Sequence, residues 1–224
     1  MSTTDAAPPF LYRPPTEPWL VVLHEEDEIL VLSKQSGLLS VAGKPAEHAD
    51  CIESRAKAEY PQARIVHRLD RETSGVIVMA MNAKSHRHLG LQFERRKIGK
   101  KYIARVWGAV TQDRGVVDLP LTCDWPNRPK QMVDVESGRA ALTEWEVLER
   151  EQGATRMSLS PRTGRSHQLR VHMLTIGHPI IGDSFYATGA AFTSADRLQL
   201  HAESITLHHP SDGKLTTFTA PCPF

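Results

Sequence analysis

Apolar and polar positions along this chain fall mostly into short alternating runs, and only a few segments keep a helical period. "WLVVLHEEDEILVLSK" (Trp19–Lys34) reads as two β-rich runs around an acidic turn of Glu25, Glu26, Asp27 and Glu28. "SKQSGLLSVAGK" follows as a loop punctuated by Gly37 and Gly43. "ADCIESRAKAEYP" predicts a short helix, with Asp50 placed to cap it and Pro61 beyond its end. "ARIVHRLD" predicts a strand that ends at Asp70, and "SGVIVMAM" a second whose unbroken apolar run suits a buried position. "AKSHRHLGLQFERRK" predicts a helix, with Leu89, Phe93 and Ile98 near helical spacing and Gly90 costing about 1 kcal/mol relative to alanine.

Downstream, "KKYIARVWGAV" sets Tyr102, Ala104 and Val106 against Ile103, Arg105 and Trp107, the alternation of a half-exposed strand. "RAALTEWEVLER" and "ATRMSLS" predict two more strands, and "LQLHAESITLHHP" with "KLTTFTA" a closing pair. Between them "SHQLRVHMLTIGHP" predicts a helix, with Ser166 as its N-cap, Gly177 near its end and Pro179 after it. Many strands with few helices argue an α+β fold on a mixed, largely antiparallel sheet. No internal repeat or low-complexity linker interrupts it. Residues 1–17, polar and proline-rich, are expected to form an extended arm, and residues 18–224 one domain.

Composition narrows the function. A chain of 224 residues can bury a substantial core without staples. No run of about 18 apolar residues is present to span a membrane, and the N-terminus lacks the basic start and apolar stretch of a signal peptide. Cys51, Cys123 and Cys222 are odd in number and far apart, without CxxC spacing, so neither a disulfide framework nor a zinc site is indicated and a reducing, cytoplasmic setting is expected. The net charge of +1 conceals segregation: "RRKIGKKYIAR" is strongly basic, and Gln152–Gly182 contains Arg156, Arg162, Arg165 and Arg170 but no acid. Local basic stretches of this kind attract phosphates.

Several chemistries are excluded by spacing. "HRLD" has the wrong order for a kinase catalytic loop, and no glycine-rich phosphate loop or Asp-Phe-Gly accompanies it. The 11 histidines show no metal-ligand spacing, so no metal is expected. No Gly-x-Ser-x-Gly elbow and no dinucleotide fingerprint appear. What remains is "HRLDRETSG", which sets the carboxylate of Asp70 between two arginines, together with "TGRSHQLRVH" and Tyr102 on a basic strand. Taken singly, each has an ordinary structural explanation. In combination they offer an ionised acid, a cation to hold it so, a helix start suited to phosphate and a ring to stack on a base.

At these residues the chain resembles the RluA family of pseudouridine synthases. "HRLDRETSGVIVMA" is similar to the family's aspartate motif, "KKYIARVWG" to its tyrosine motif and "TGRSHQLRVH" to its third motif. "VLSKQSGLLSVAG" resembles the first motif, with Gln35 where proline is usual. "LTCDWPNRPKQMV" and "GHPIIGDSFY" are similar to the family's dual-specificity branch. The resemblance implies the pseudouridine synthase fold over residues 18–224 and isomerisation of uridine in RNA, with stem-loops of 23S rRNA and of tRNA as partners. It also implies no cofactor, and a monomer is expected. Carried over by motif, Asp70, Tyr102 and Arg170 are the catalytic set: nucleophile, stacking ring and partner of the acid. Arg68, His67, Thr73, Arg165, His167 and Gln168 are then expected at the substrate, with Arg68 entering the RNA stack. Arg96, Lys97, Lys100, Lys101 and Arg162 are expected on the RNA backbone. A non-catalytic RNA-binding protein would need the basic stretches but not the catalytic set; a paralogue acting on another uridine would need both.

Overall fold

A computed structural model describes residues 12–224; the greater part of the expected arm, residues 1–11, lies outside the described residues. The first half of the chain forms β1 (Val22–Glu25), β2 (Ile29–Lys34), α1 (Ile52–Glu59), β3 (Arg64–Ile65), β4 (Ser74–Ala80), α2 (Ala83–Glu94) and β5 (Gly99–Trp107). The second half forms β6 (Arg114–Asp118), β7 (Leu121–Cys123), β8 (Gln131–Val133), β9 (Leu142–Glu151), β10 (Ala154–Pro161), α3 (Gln168–Thr175), α4 (Gly189–Thr193), β11 (Leu200–His208) and β12 (Leu215–Thr219).

Ten strands make one sheet in the order β1-β2-β4-β11-β5-β10-β9-β6, with β12 also beside β11 and β3 beside β4. All pairings in it are antiparallel except β4 with β11, so the sheet is mixed and largely antiparallel as expected. β7 and β8 pair apart from it as a small hairpin. β4 is buried along its whole length, which is why its sequence is an unbroken apolar run. One core gathers β2, β4, α1, α2 and β11; another gathers β5, β10, α3 and Trp145 of β9.

Three local expectations are corrected. Asp50 does not cap α1: the Cys51 sulfur accepts from the Ser54 N–H at 3.3 Å, while the Asp50 carboxylate accepts from the buried Arg55 at 2.7 Å. A buried guanidinium is a more demanding claimant for a carboxylate than a helix end. The strand before Asp70 stops at Ile65, and residues 66–73 form a loop in which backbone groups of Leu69, Arg71 and Glu72 bond to side chains at and after the end of β2. Nor does Ser166 cap α3. His167 occupies that position with a left-handed backbone (φ 52°), and the Gln168 side chain organises the turn by accepting from the Arg165 N–H at 3.0 Å.

The parallel seam between β4 and β11 passes at Gly75, whose φ is +114° and where a Cβ would lie 2.2 Å from the Ala202 carbonyl oxygen. Gly75→Ala therefore meets both backbone strain and a backbone clash. We expect it to destabilise the fold by roughly 3 kcal/mol or more, measured as a fall in the urea unfolding midpoint.

Candidate active site

Asp70 stands on the loop between β3 and β4, and that loop is pinned from below by the segment after β2. The buried Lys34 ammonium donates to the carbonyls of Gln35 (2.8 Å), Leu38 (2.6 Å) and Arg71 (2.8 Å). The Gly37 N–H donates to the same Arg71 carbonyl, and the Ser36 hydroxyl to that of Glu72. Ser40 brackets Leu69, donating to its carbonyl at 2.6 Å and accepting from its N–H at 3.0 Å. These contacts give the Lys-x-x-Gly stretch its purpose: it satisfies the buried backbone of the aspartate loop. None requires the proline that Gln35 replaces. Burial pulls the Lys34 pKa down to about 7, and the nearby charge of Asp70 works against that fall.

Beside the loop lies α3 with Arg170, whose side chain is 2% exposed. Its Nε and Nη2 donate to Asp183 at 2.8 and 2.6 Å, while Asp70 is 3.9 Å from Nη1 and Glu72 4.0 Å from Nη2. The expected pairing of Arg170 with Asp70 is thus real but secondary; the bidentate partner is Asp183. Burial works to lower the Arg170 pKa, but the hydrogen bond and charge of Asp183, followed by the charges of Asp70 and Glu72, outweigh it and leave it raised. Phe185 and Tyr186 pack on the guanidinium at 5.0 and 5.2 Å. Asp183, fully buried, also accepts from the backbone N–H groups of Phe185 and Tyr186. No motif reading had singled out Asp183 or Tyr186, although both fall in "GHPIIGDSFY".

A cleft of about 1110 Å³ opens over this arrangement and is lined by Asp70, Tyr102 and Arg170. Asp70 keeps 29% of its side chain exposed there. Tyr102 reaches it from β5, its hydroxyl pKa raised by burial and then by the Asp70 charge, so the ring stays neutral. Arg68, Arg96, Lys100, Arg162 and Arg165 also line the cleft. Lys100 is drawn inward, donating to the Thr163 carbonyl at 3.2 Å with its pKa lowered by burial. Lys97 and Lys101 are exposed but lie outside the cleft lining. Arg162 is bonded to Glu144 at 2.7 Å, and Arg165 donates to the Ala140 carbonyl at 3.2 Å.

Three residues expected at the substrate make hydrogen bonds within the protein. Thr73 is buried and closes the turn through its N–H to the Asp70 carbonyl at 3.2 Å. Gln168 is buried with its amide bonded to Leu142, Thr143, Thr163 and Arg165. His67 lines the cleft, but its Nε2 accepts from the Val78 N–H at 2.9 Å and its ring stacks on Phe93. His167 also lines the cleft, with Nδ1 2.8 Å from the Tyr186 hydroxyl. Among the described residues, no group of three or more His, Cys, Asp or Glu side chains is placed to hold a metal.

The model of the RNA pseudouridylate synthase family matches residues 28–175, which hold Asp70, Tyr102 and Arg170. The chain belongs to the RNA pseudouridylate synthase family. It is 56% identical over 214 residues to the dual-specificity RNA pseudouridine synthase RluA of Escherichia coli O6:H1, covering 95% of this chain and 98% of that one. It is also 50% identical to the RluA of Vibrio vulnificus over 218 residues, 95% and 87% of the two chains. Among solved structures it is similar to human RNA pseudouridylate synthase domain containing 1, with a TM-score of 0.75 and 26% identity over 92% of this chain and 84% of that one. A second human relative, domain containing 4, gives a TM-score of 0.73 and 25% identity, covering 91% and 88%. The protein is an RNA pseudouridine synthase, and its fold is that of the family.

Two expectations follow for the pseudouridine synthase site. Burial, and then the charge of Lys100, lowers the His67 pKa from 6.5 to about 3. Between those values the unfolded chain binds the proton and the folded one does not, so stability rises with pH across the window. His67→Gln should flatten that rise, as measured by urea unfolding at a series of acidic pH values. Asp183→Asn leaves the buried Arg170 without its bidentate partner and should cost about 3–5 kcal/mol, read from the same unfolding curves near neutral pH.

Proposed function

We propose that the protein isomerises specific uridines to pseudouridine in stem-loops of 23S rRNA and in the tRNA anticodon stem-loop, with Asp70 as its nucleophile. The observation that carries this reading is the accessible Asp70 carboxylate in a basic cleft, flanked by a buried Arg170 and a neutral tyrosine. The dual range of substrates follows the relatives named as dual-specificity synthases.

A uracil within a folded loop is out of reach until its nucleotide leaves the stack, at a cost of a few kcal/mol. Arg68, exposed at the cleft, fills the vacated space, and its planar guanidinium recovers part of that cost by stacking. The extruded uracil lies on Tyr102. Asp70, already an oxygen nucleophile when ionised, needs no separate base to activate it, and the Arg170 guanidinium lies 3.9 Å from its carboxylate. The bond between ribose C1′ and uracil N1 breaks, the base turns, and C1′ bonds to C5. The C5 proton leaves to water, N1 is protonated, and Asp70 is released unchanged. Attack at the sugar and attack at the base both satisfy this balance. No cofactor is consumed.

Arg96, Arg162 and Arg165 at the cleft, with Lys97 and Lys101 farther out, supply phosphate contacts that position the RNA without reading its sequence. Lys100 contributes charge from within the wall. Thr73 and Gln168 act on substrate only through the loops they brace, and so does His67. Residues 18–224 serve as one catalytic unit working as a monomer in the cytoplasm.

RNA carrying tritium at uracil C5 tests the reaction, because bond formation at that carbon expels the label to water. The wild-type protein should release tritium from both an rRNA fragment and a tRNA. Asp70→Asn should lower the rate at least about 1000-fold, as loss of a nucleophile does in other enzymes, with RNA affinity kept. Release from one RNA alone would mark a paralogue of narrower range; substantial release by Asp70→Asn would remove Asp70 from the nucleophile's role.

A further inference from the structure

One rim of the cleft carries a group that the isomerisation leaves unused. The β7–β8 hairpin stands apart from the main sheet, and Cys123, Arg128, Pro129 and Gln131 bring it to the cleft wall. On its connecting loop Trp125 is 67% exposed, more than any other tryptophan or phenylalanine among the described residues. Leaving an indole in water forfeits the largest hydrophobic gain a side chain can offer. Nothing in the fold makes up that loss. The Arg128 guanidinium sits 4.8 Å from the indole centroid, so one face of the ring is backed by a cation while most of the side chain stays in solvent.

The loop that presents this pair is braced. Asp124 and Lys130 are joined by a 3.0 Å backbone bond, and Asn127 closes the turn between them through its N–H to Asp124 and its carbonyl to Lys130. At the hairpin base the Gln131 N–H donates to the Tyr186 hydroxyl at 2.8 Å. That same hydroxyl contacts His167, and the Tyr186 ring packs on Arg170. The backbone that carries the exposed indole is therefore tied, through Gln131 and Tyr186, to Arg170.

We propose that Trp125, backed by Arg128, is a stacking shelf for one unpaired base of the substrate loop other than the target uridine. This rests on the RNA reading above. An aromatic face with an adjacent arginine suits a nucleobase and its phosphate, because every base offers a π-face and stacking tolerates sequence. Recognition of RNA loops works by splaying out such bases and stacking them on aromatic side chains. Arg68 fills the gap that the extruded uridine leaves in the stack; the shelf takes instead a base splayed out of the loop, beside the cleft that Arg128 lines. One shelf can serve two unrelated loops, since it selects an available base rather than a particular one.

The test measures binding and turnover separately on the rRNA and tRNA stem-loops, using wild type, Trp125→Ala and Trp125→Phe. Stacking one base on an aromatic ring spans about fivefold to a hundredfold in affinity. We expect Trp125→Ala to lose affinity within that range for both RNAs and Trp125→Phe to keep most of it. RNAs made abasic at each loop position in turn then locate the base. At one position other than the target, wild type and Trp125→Ala should bind equally. Equal affinity of wild type and Trp125→Ala for the intact loops, or a difference that survives every abasic substitution, overturns the shelf. A wild-type protein that binds with this pattern but releases no tritium would refute the proposed substrates while leaving the shelf standing.

Discussion

Charge buried in a protein interior has to be answered by opposite charge or by carbonyl oxygens, and two such charges organise this molecule. Arg170 is enclosed on α3 by Asp183, with Glu72 and Asp70 at the edge of its reach. Lys34 is enclosed at the end of β2 by three carbonyls, one of them from the aspartate loop. The loop that bears Asp70 is thus approached from two sides by buried basic side chains, Lys34 through the Arg71 carbonyl and Arg170 through the Asp70 and Glu72 carboxylates. Its carboxylate can remain partly in solvent because the surrounding partners, and not its own burial, fix its place.

The division of acids around Arg170 has a chemical consequence. Asp183 takes the bidentate hydrogen bonds and two backbone N–H donors besides, which commits it to structure. Asp70, at 3.9 Å, feels the same positive charge without surrendering its oxygens to hydrogen bonds from it. The nucleophile proposed here needs lone pairs left available for the substrate. The aromatic pair Phe185 and Tyr186 closes the other side of the guanidinium and extends the rigid unit to His167 and the β7–β8 hairpin.

The sheet serves the same end. Its parallel seam between β4 and β11 brings the end of the aspartate loop against β11, which in turn pairs with the tyrosine strand β5. Asp70 and Tyr102, 32 residues apart in sequence, are brought to one cleft by this one deviation from an antiparallel sheet. Gly75 is the residue that permits the close approach. Around the cleft the basic residues are graded: Arg68 and Arg96 exposed at its lining, Arg162 tethered to Glu144, Lys100 sunk into the wall.

Much of this was legible in the chain itself. Short β-rich runs marked β5, β9, β10, β11 and β12 but not the short β6, β7 and β8; an unbroken apolar run marked β4 as buried, and the motifs around Asp70, Tyr102 and Arg170 marked the family, because periodicity and short motifs are local properties. What only the tertiary structure decided was who partners whom. Asp50 was read as a cap and serves Arg55; Arg170 was read as the partner of Asp70 and holds Asp183 first. His67, Thr73 and Gln168 lie within functional motifs and also bond within the fold: His67 Nε2 to the Val78 N–H, the Thr73 N–H to the Asp70 carbonyl and the Gln168 amide to the walls of the α3 loop. A motif records which residues belong to a site, but satisfying a buried polar group is a matter of three-dimensional distance, and residues remote in sequence compete for it on equal terms.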